Sequence, residues 1–284
     1  MDRFCKLPAF ASAAGFGFTT LLAPATVHAE ALSPVEARKE AALAGDLTGL
    51  SALLGIVAES SPVYAGSDNR ETGAAPILYG MYDDRYYVSG DEMGIYWPIL
   101  GSEWRLKAGI GYEPGRDPSD DPALANLATM DSTAVLAGGL FRQFGTSAVG
   151  FGFEADIGDA GKGVVTFLGG SYDWHLMDNA LTLTAYGDIS YANAEHLQTE
   201  FGITSLEAAA SQADPNPAFR YTEYQPSSGL KSAGVGFGAR YRLNEQWMII
   251  GNVSGEFFGD EATGSPLVRE DYELEAVLGV AFSF

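Results

Sequence analysis

The sequence predicts an all-β fold: a closed antiparallel transmembrane β-barrel of about 12 strands (about 10 is the alternative count), with short periplasmic turns and long extracellular loops. Three observations predict it. Segments of about 8 to 14 residues alternate apolar and polar with period two, separated by Gly, Asp, Asn and Pro clusters. No window after the first 29 residues holds the roughly 20 continuous apolar residues that a spanning helix needs. Long and short connections alternate along the strand series, as in a barrel with both termini in the periplasm.

Twelve stretches qualify as strands, near 49–60, 73–82, 85–90, 93–100, 104–113, 132–144, 146–157, 162–175, 180–192, 230–243, 246–258 and 270–284. In 104–113, Trp104, Leu106, Ala108, Ile110 and Tyr112 oppose Arg105, Lys107, Gly109, Gly111 and Glu113. In 231–243, Ala233, Val235, Phe237, Ala239, Tyr241 and Leu243 oppose Ser232, four further small or basic residues and Arg242. The stretch 181–191 and the run from Tyr272 to Phe284 repeat the pattern, and the apolar faces end in aromatics. The outward face of a soluble sandwich is richly charged, whereas here the second face is Gly, Ser and Thr with isolated charges. A barrel in lipid inverts the arrangement: apolar side chains point out, small and polar ones point into the lumen, and aromatic girdles mark both interfaces. Closure follows because an open strand edge cannot satisfy its backbone hydrogen bonds in hydrocarbon. The weakest strand is the third, near Tyr86-Tyr87-Val88, and its loss gives the lower count.

The short connections are Asp83-Asp84, Gly101-Ser102, the turn at Gly145, Met177-Asp178-Asn179 and Asn244-Glu245. The other set is 61–72, a link near Gly90-Asp91-Glu92, 114–131, 158–161, 193–229 and 259–269, and it contains all the long ones.

Residues 1–29 read as a secretory signal peptide: Arg3 and Lys6 precede an apolar stretch from Leu7 to Ala25 that ends in Val27-His28-Ala29. Residues 30–48 then form a periplasmic segment and 49–284 the barrel. The full chain carries 16 Lys plus Arg and 37 Asp plus Glu, a formal charge of −21. Loss of Arg3, Lys6 and Asp2 with the leader deepens this by one, to −22. Such an excess of acid excludes a nucleic-acid partner, which needs clustered cations. The single cysteine, Cys5, lies in the leader, so no disulfide framework or Cys-based zinc site is expected.

Phe282 and Phe284 end an alternating aromatic strand, which resembles the C-terminal pattern that delivers outer-membrane barrels to the barrel assembly machinery. Further residues carry a family resemblance. Ser61-Pro62-Val63-Tyr64-Ala65-Gly66-Ser67-Asp68 is followed by Pro76, and Gly115-Arg116-Asp117 by Asp120-Asp121 and Leu124. Phe201-Gly202-Ile203 with Glu207-Ala208, then Ser228-Gly229-Leu230, then Gly259-Asp260 with Ser265-Pro266-Leu267-Val268 complete the series. In this order they resemble the MipA/OmpV family of outer-membrane proteins over roughly 49–284. Two departures stand out: Glu200 replaces the usual aromatic before Phe201, and the loop from Asp214 to Gln225 is extended.

The resemblance implies a barrel in the bacterial outer membrane, in contact with its lipid and lipopolysaccharide. It implies a scaffold bringing a lytic murein transglycosylase and a murein synthase together. The alternatives are a narrow porin-like channel for small cationic solutes, or a surface-exposed adhesive or ligand-binding barrel. No enzyme, cofactor or metal site is expected. No Gly-x-Ser-x-Gly elbow occurs; His175 reads as an interfacial residue at the periplasmic rim and His196 as a surface loop residue. Asp117, Asp120 and Asp121, and Asp260 and Glu261 with Glu270 and Asp271, read as solvated acidic loops. Strand parity places Arg105, Lys107, Arg240, Arg242, Glu256, Glu273 and Glu275 in the lumen, where Arg240 and Arg242 are expected to form a charge ladder with the three glutamates.

Overall fold

The computed structural model describes residues 50–99 and 103–284. The expected leader, the 30–48 segment and the Gly101-Ser102 turn lie outside these residues. The strands are β1 (Leu50–Pro62), β2 (Arg70–Tyr82), β3 (Tyr86–Ser89), β4 (Glu92–Pro98), β5 (Trp104–Glu113), β6 (Thr133–Phe144), β7 (Ser147–Asp156), β8 (Val164–Leu176), β9 (Leu181–Ala192), β10 (Gly229–Arg242), β11 (Trp247–Phe258) and β12 (Tyr272–Ser283). Each pairs antiparallel with its sequence neighbours, and β1 closes on β12 from Leu53–Ser283 to Ser60–Ala276. The barrel therefore has 12 strands, and the weak third strand is real though only 4 residues long. No helix among the described residues is long and apolar enough to cross a membrane; strands make the crossing.

The alternation has the expected sense. Along β5, Leu106, Ala108, Ile110 and Tyr112 are exposed on the outside while Lys107, Gly109 and Gly111 are buried inside. Tyr82, Tyr86, Trp97, Tyr172, Trp174 and Trp247 form the exposed periplasmic girdle, and Tyr112, Tyr191, Phe257 and Tyr272 the extracellular one. Tight periplasmic turns need left-handed backbone, which Asp and Asn tolerate. Asp83 and Asp84 take φ of 55° and 49°, and Asn179 takes 67°.

Two features depart from simple alternation. A bulge between Leu230 and Ser232 turns Lys231 inward beside Ser232, and both are 2% exposed. In addition, the periplasmic half of the lumen is apolar rather than small and polar. Leu53, Tyr79, Met81, Tyr87, Tyr96, Phe141, Met248 and Ala281 form one buried cluster there. The Tyr87 and Tyr96 rings stand 4.8 Å apart, and Phe141 meets Tyr96 edge-on at 6.3 Å. The opposite arc carries Thr182, Thr184 and Arg240, so this fill is one-sided.

Candidate functional site

The long extracellular connections fold into a cap across the mouth. Three short helices lie within it: α1 (Ala194–Phe201), α2 (Ser205–Ser211) and α3 (Asp260–Thr263). Asn193 starts α1, its side chain accepting from the His196 N–H at 2.9 Å. Thr204 and Glu207 form a reciprocal capping box at the start of α2. Asp121 caps a 3-10 turn at Pro122–Leu124 through the Ala123 N–H, at 2.7 Å.

Two apolar clusters hold the cap together. The first joins four connections, with Tyr64 from the first, Ala123, Leu124 and Leu127 from the second, Ile203 and Tyr221 from the third, and Leu267 from the last. The second packs Leu197 and Phe201 of α1 onto Ala65, Val165, Phe258 and Ala262. Buried hydroxyls are spent on backbone carbonyls: Tyr64 Oη donates to Leu267 O at 3.3 Å and Tyr221 Oη to Ala123 O at 2.8 Å. Burial pushes the Tyr64 phenol up to about 12. Burial also raises the Glu207 carboxyl, but the Ala128 N–H and the Thr204 hydroxyl and N–H outweigh it and hold the group below the usual carboxylate range.

The motif residues quoted from the sequence converge here. Gly66 takes φ of 79° and its carbonyl accepts from the Arg269 and Glu270 N–H groups at 2.7 and 3.1 Å. A side chain at Gly66 would also strike Val268, so glycine is required twice over. Ser67 Oγ accepts from Asn69 N–H at 3.1 Å. Arg116 Nη1 donates to Glu200 O at 3.0 Å, and the segment it begins pairs with Met130. Gly115 sits against the Met130 carbonyl and Gly202 against Gln198, each too close for a side chain. Phe201 is fully buried, whereas Asp68 and Asp117 remain on the surface.

The acidic loops are accordingly mixed. Asp117 and Asp120 are exposed, but Asp121 is buried, bonded to Ala123 and to Asn69 Nδ2. Among the described residues no group of three or more His, Cys, Asp or Glu is placed to hold a metal ion. His196 is another correction: it is 6% exposed, inside the cap, with Nδ1 at 2.8 Å from Lys162 O. The capping signal at Asn193 announces a helix, but its contact with the 158–163 loop is 34 residues distant and has no sequence mark. His175 lies at the periplasmic end of β8, 3.3 Å from Thr182 Oγ1.

Beneath the cap, a cavity of about 50 Å³ is bordered by Glu113, Glu154, Asp156, Asp188, Lys162 and Lys231. Lys162 is buried, 3.3 Å from Glu113 and hydrogen-bonded to Pro114 O. Lower down, Lys107 and Glu92 form a buried ion pair at 2.8 Å, which Tyr87 joins through its hydroxyl. Glu92 and Tyr87 were not foreseen as lumenal partners.

The expected charge ladder does not form. Arg240 pairs with Ile250 across the β10–β11 ladder, whereas Glu256 stands opposite Gly234 and Glu273. Six residues of strand at about 3.3 Å each separate the two levels, beyond the reach of an arginine. Instead Arg240 donates to Thr182 Oγ1 at 3.3 Å, Arg242 to Asn179 O at 3.1 Å, and Arg105 to Asp84 Oδ1 at 2.6 Å. Glu256, Glu273 and Glu275 belong to the extracellular end. Between the two ends, a void of about 730 Å³ borders Glu59, Thr184, Gly238, Asn252 and Val277. Residues of seven strands from β8 round to β2 share it, so it lies on the concave side of the wall.

A closed barrel with a lipid-facing apolar band, two aromatic girdles and a cap built from its loops defines an outer-membrane β-barrel protein. Comparison narrows the class. The family model described as "MltA-interacting protein MipA" matches residues 54–284, and the chain belongs to that family. Outer membrane protein Omp26La of Vibrio anguillarum is 27% identical over 141 residues, 49% of this chain and 50% of that protein. The match therefore spans about half the length of that relative. Among solved structures, the NanC porin aligns at 11% identity and TM-score 0.40, covering 81% of this chain and 98% of the other. An outer membrane channel from Pseudomonas putida F1 aligns at 10% identity and TM-score 0.40, covering 84% and 97%.

Proposed function

We propose that this chain is a non-enzymatic structural barrel that holds murein-turnover enzymes at the inner face of the outer membrane. The observation that carries the reading is the sealed extracellular mouth. Two apolar clusters close the loops over one another, above a cavity of about 50 Å³. A barrel closed at its mouth is better suited to anchoring than to passing solutes. The family description, which names interaction with MltA, supplies the partner class: a lytic murein transglycosylase, with a murein synthase brought alongside.

Such partners would meet the periplasmic turns, which carry Asp83, Asp84, Glu103, Asp178 and Glu245. Asp84 and Glu103 are engaged there by Arg105 and Arg142, so the rim presents both signs of charge to a docking face. Insertion would rely on the barrel assembly machinery reading Phe282 and Phe284, whose rings stack edge-on at 4.9 Å. A photoreactive residue in place of Asp178 should crosslink a murein transglycosylase in living cells. A clean absence of murein enzymes from the crosslinked material would overturn the scaffold reading. The narrow-channel reading requires the cap to lift, so large cation-selective steps from the intact protein in planar bilayers would favour it.

A further inference from the structure

The barrel wall is incomplete in one place. The β3–β4 hairpin turns at Gly90 and Asp91, where Gly90 N–H donates to Leu78 O at 2.8 Å. Below that point β2 pairs with β3; above it, from Arg70 to Ile77, β2 pairs with β1 alone. Across the gap, Tyr112 N–H meets Asp91 O at 3.1 Å, which ends the pairing of β5 on this side. Two strands, each about 4.8 Å wide, are thus missing from the upper wall. Asn69 Nδ2 and Asp121 Oδ2, 2.8 Å apart, bridge the loops overhead. The outline is a window with the hairpin as its sill, β2 as one side and the 114–131 connection, which follows the end of β5, as the other.

Backbone groups point to alternate sides along a strand, so Thr72, Ala74 and Pro76 turn theirs toward the window, on the same side as Leu78 O. Pro76 has no N–H to leave unpaired, which suits an open edge. The window also reaches the interior. Tyr79 and Met81 are buried below the sill, yet Thr72, Gly73 and Ala74 are all exposed, on both faces of β2. A side chain at Gly73 would meet nothing within 4 Å, and the lumenal void of about 730 Å³ touches Thr72 and Glu59.

An acidic pair stands beside this space, and Glu59 of the pair borders it. Glu59 is 8% exposed and, among the described residues, makes no hydrogen bond or ion pair. Ser61 Oγ is buried with no hydrogen-bond partner. Glu71 stands opposite Ser61 on the β1–β2 ladder and diagonal to Glu59, roughly 7–8 Å away by ladder geometry. A buried carboxylate without a partner is costly, and a cation is the natural complement. The outer flank of β2 at the window is apolar, offering Ala74, Pro76 and Leu78 to lipid.

We propose that the window admits a long-chain alkylammonium cation from the outer leaflet, with its ammonium group seated at Glu59 and Glu71 and its hydrocarbon chain lying along the apolar flank of β2. The acid repels anionic headgroups, and a bare small cation gains nothing from the apolar flank. The inference is independent of any murein partner.

The test is calorimetric titration of dodecyltrimethylammonium into the full barrel in phosphatidylcholine nanodiscs, with empty nanodiscs subtracted. Saturable binding is expected, with dodecyl sulfate and tetramethylammonium each binding at least about tenfold more weakly. Glu59→Gln should weaken the alkylammonium at least about tenfold, as loss of a charge-assisted contact implies. Ala74→Trp should obstruct entry and reduce binding while leaving both carboxylates in place. Heat-modifiable gel migration verifies that each variant is folded, and Glu71→Gln replaces Glu59→Gln if the latter fails to fold. Equal binding of dodecyl sulfate, equal binding of tetramethylammonium, or unchanged affinity in a folded carboxamide variant would each overturn the proposal.

Discussion

The two ends of this barrel are filled by opposite means. At the periplasmic end the wall fills its own lumen, with Tyr79, Tyr87, Tyr96 and Phe141 projecting inward from strands that are near neighbours. At the extracellular end the strands project charge, and the mouth is closed instead by loops that pack on one another. The wall is held by ladder hydrogen bonds that lipid protects, so its filling is tied to the whole barrel. The cap faces water, depends on contacts up to 203 residues apart in sequence, and can loosen while the strands stay paired.

That contrast can be broken first at Lys107. Removing it by Lys107→Met leaves Glu92 buried and uncompensated, which costs about 3–5 kcal/mol. Urea unfolding of the barrel in lipid should record the loss, with surface proteolysis of the loops unchanged below the transition. Phe201→Ala makes the converse change, creating a hole in the cap worth about 3 kcal/mol. It should expose the loops to protease and leave the midpoint of barrel unfolding in place. A common shift of both readouts would show that cap and barrel form a single cooperative unit.

Smaller effects sharpen the same division. Thr204→Ala removes a capping box and should cost the cap about 1 kcal/mol, visible as faster amide exchange in α2 and nowhere in the wall. The smallest are pH effects. The folded Glu207 carboxyl lies below its usual 4.5, so its contribution is complete above that pH and is lost as pH falls through the lower folded value. The buried Tyr64 phenol behaves in the opposite sense. Its contribution is complete below pH 10 and is lost as pH rises toward about 12. Loop protease sensitivity should rise at both extremes, and Tyr64→Phe should remove this alkaline contribution alone.

Strands were legible wherever the two faces differ in polarity. β5, and β10 beyond its bulge, alternate residue by residue, and their limits emerge within a residue or so. β2 gave its existence but not its facing: Leu78, Tyr79, Met81 and Tyr82 are all apolar, so period two carries no contrast, and the inward Tyr79 and Met81 passed unnoticed. Parity put Arg240 and Glu256 on one face correctly, yet parity is silent about height, which only the register supplies. Lys231 escaped because one extra residue in a bulge reverses the sense of facing. The cap was visible as separate motifs around Gly66, Gly115 and Phe201, but their convergence is a matter of long-range packing that local spacing does not encode.

The bond from Gly66 to Arg269 and Glu270 joins the connection after β1 to the one before β12. Those are the two strands whose pairing turns an open sheet into a barrel. The chain cannot make this clasp while the sheet is still open, so a protected cap on the cell surface certifies that the first and last strands have met. Protease resistance of these loops in intact cells thus becomes an assay for completed insertion, readable from outside without extracting the protein.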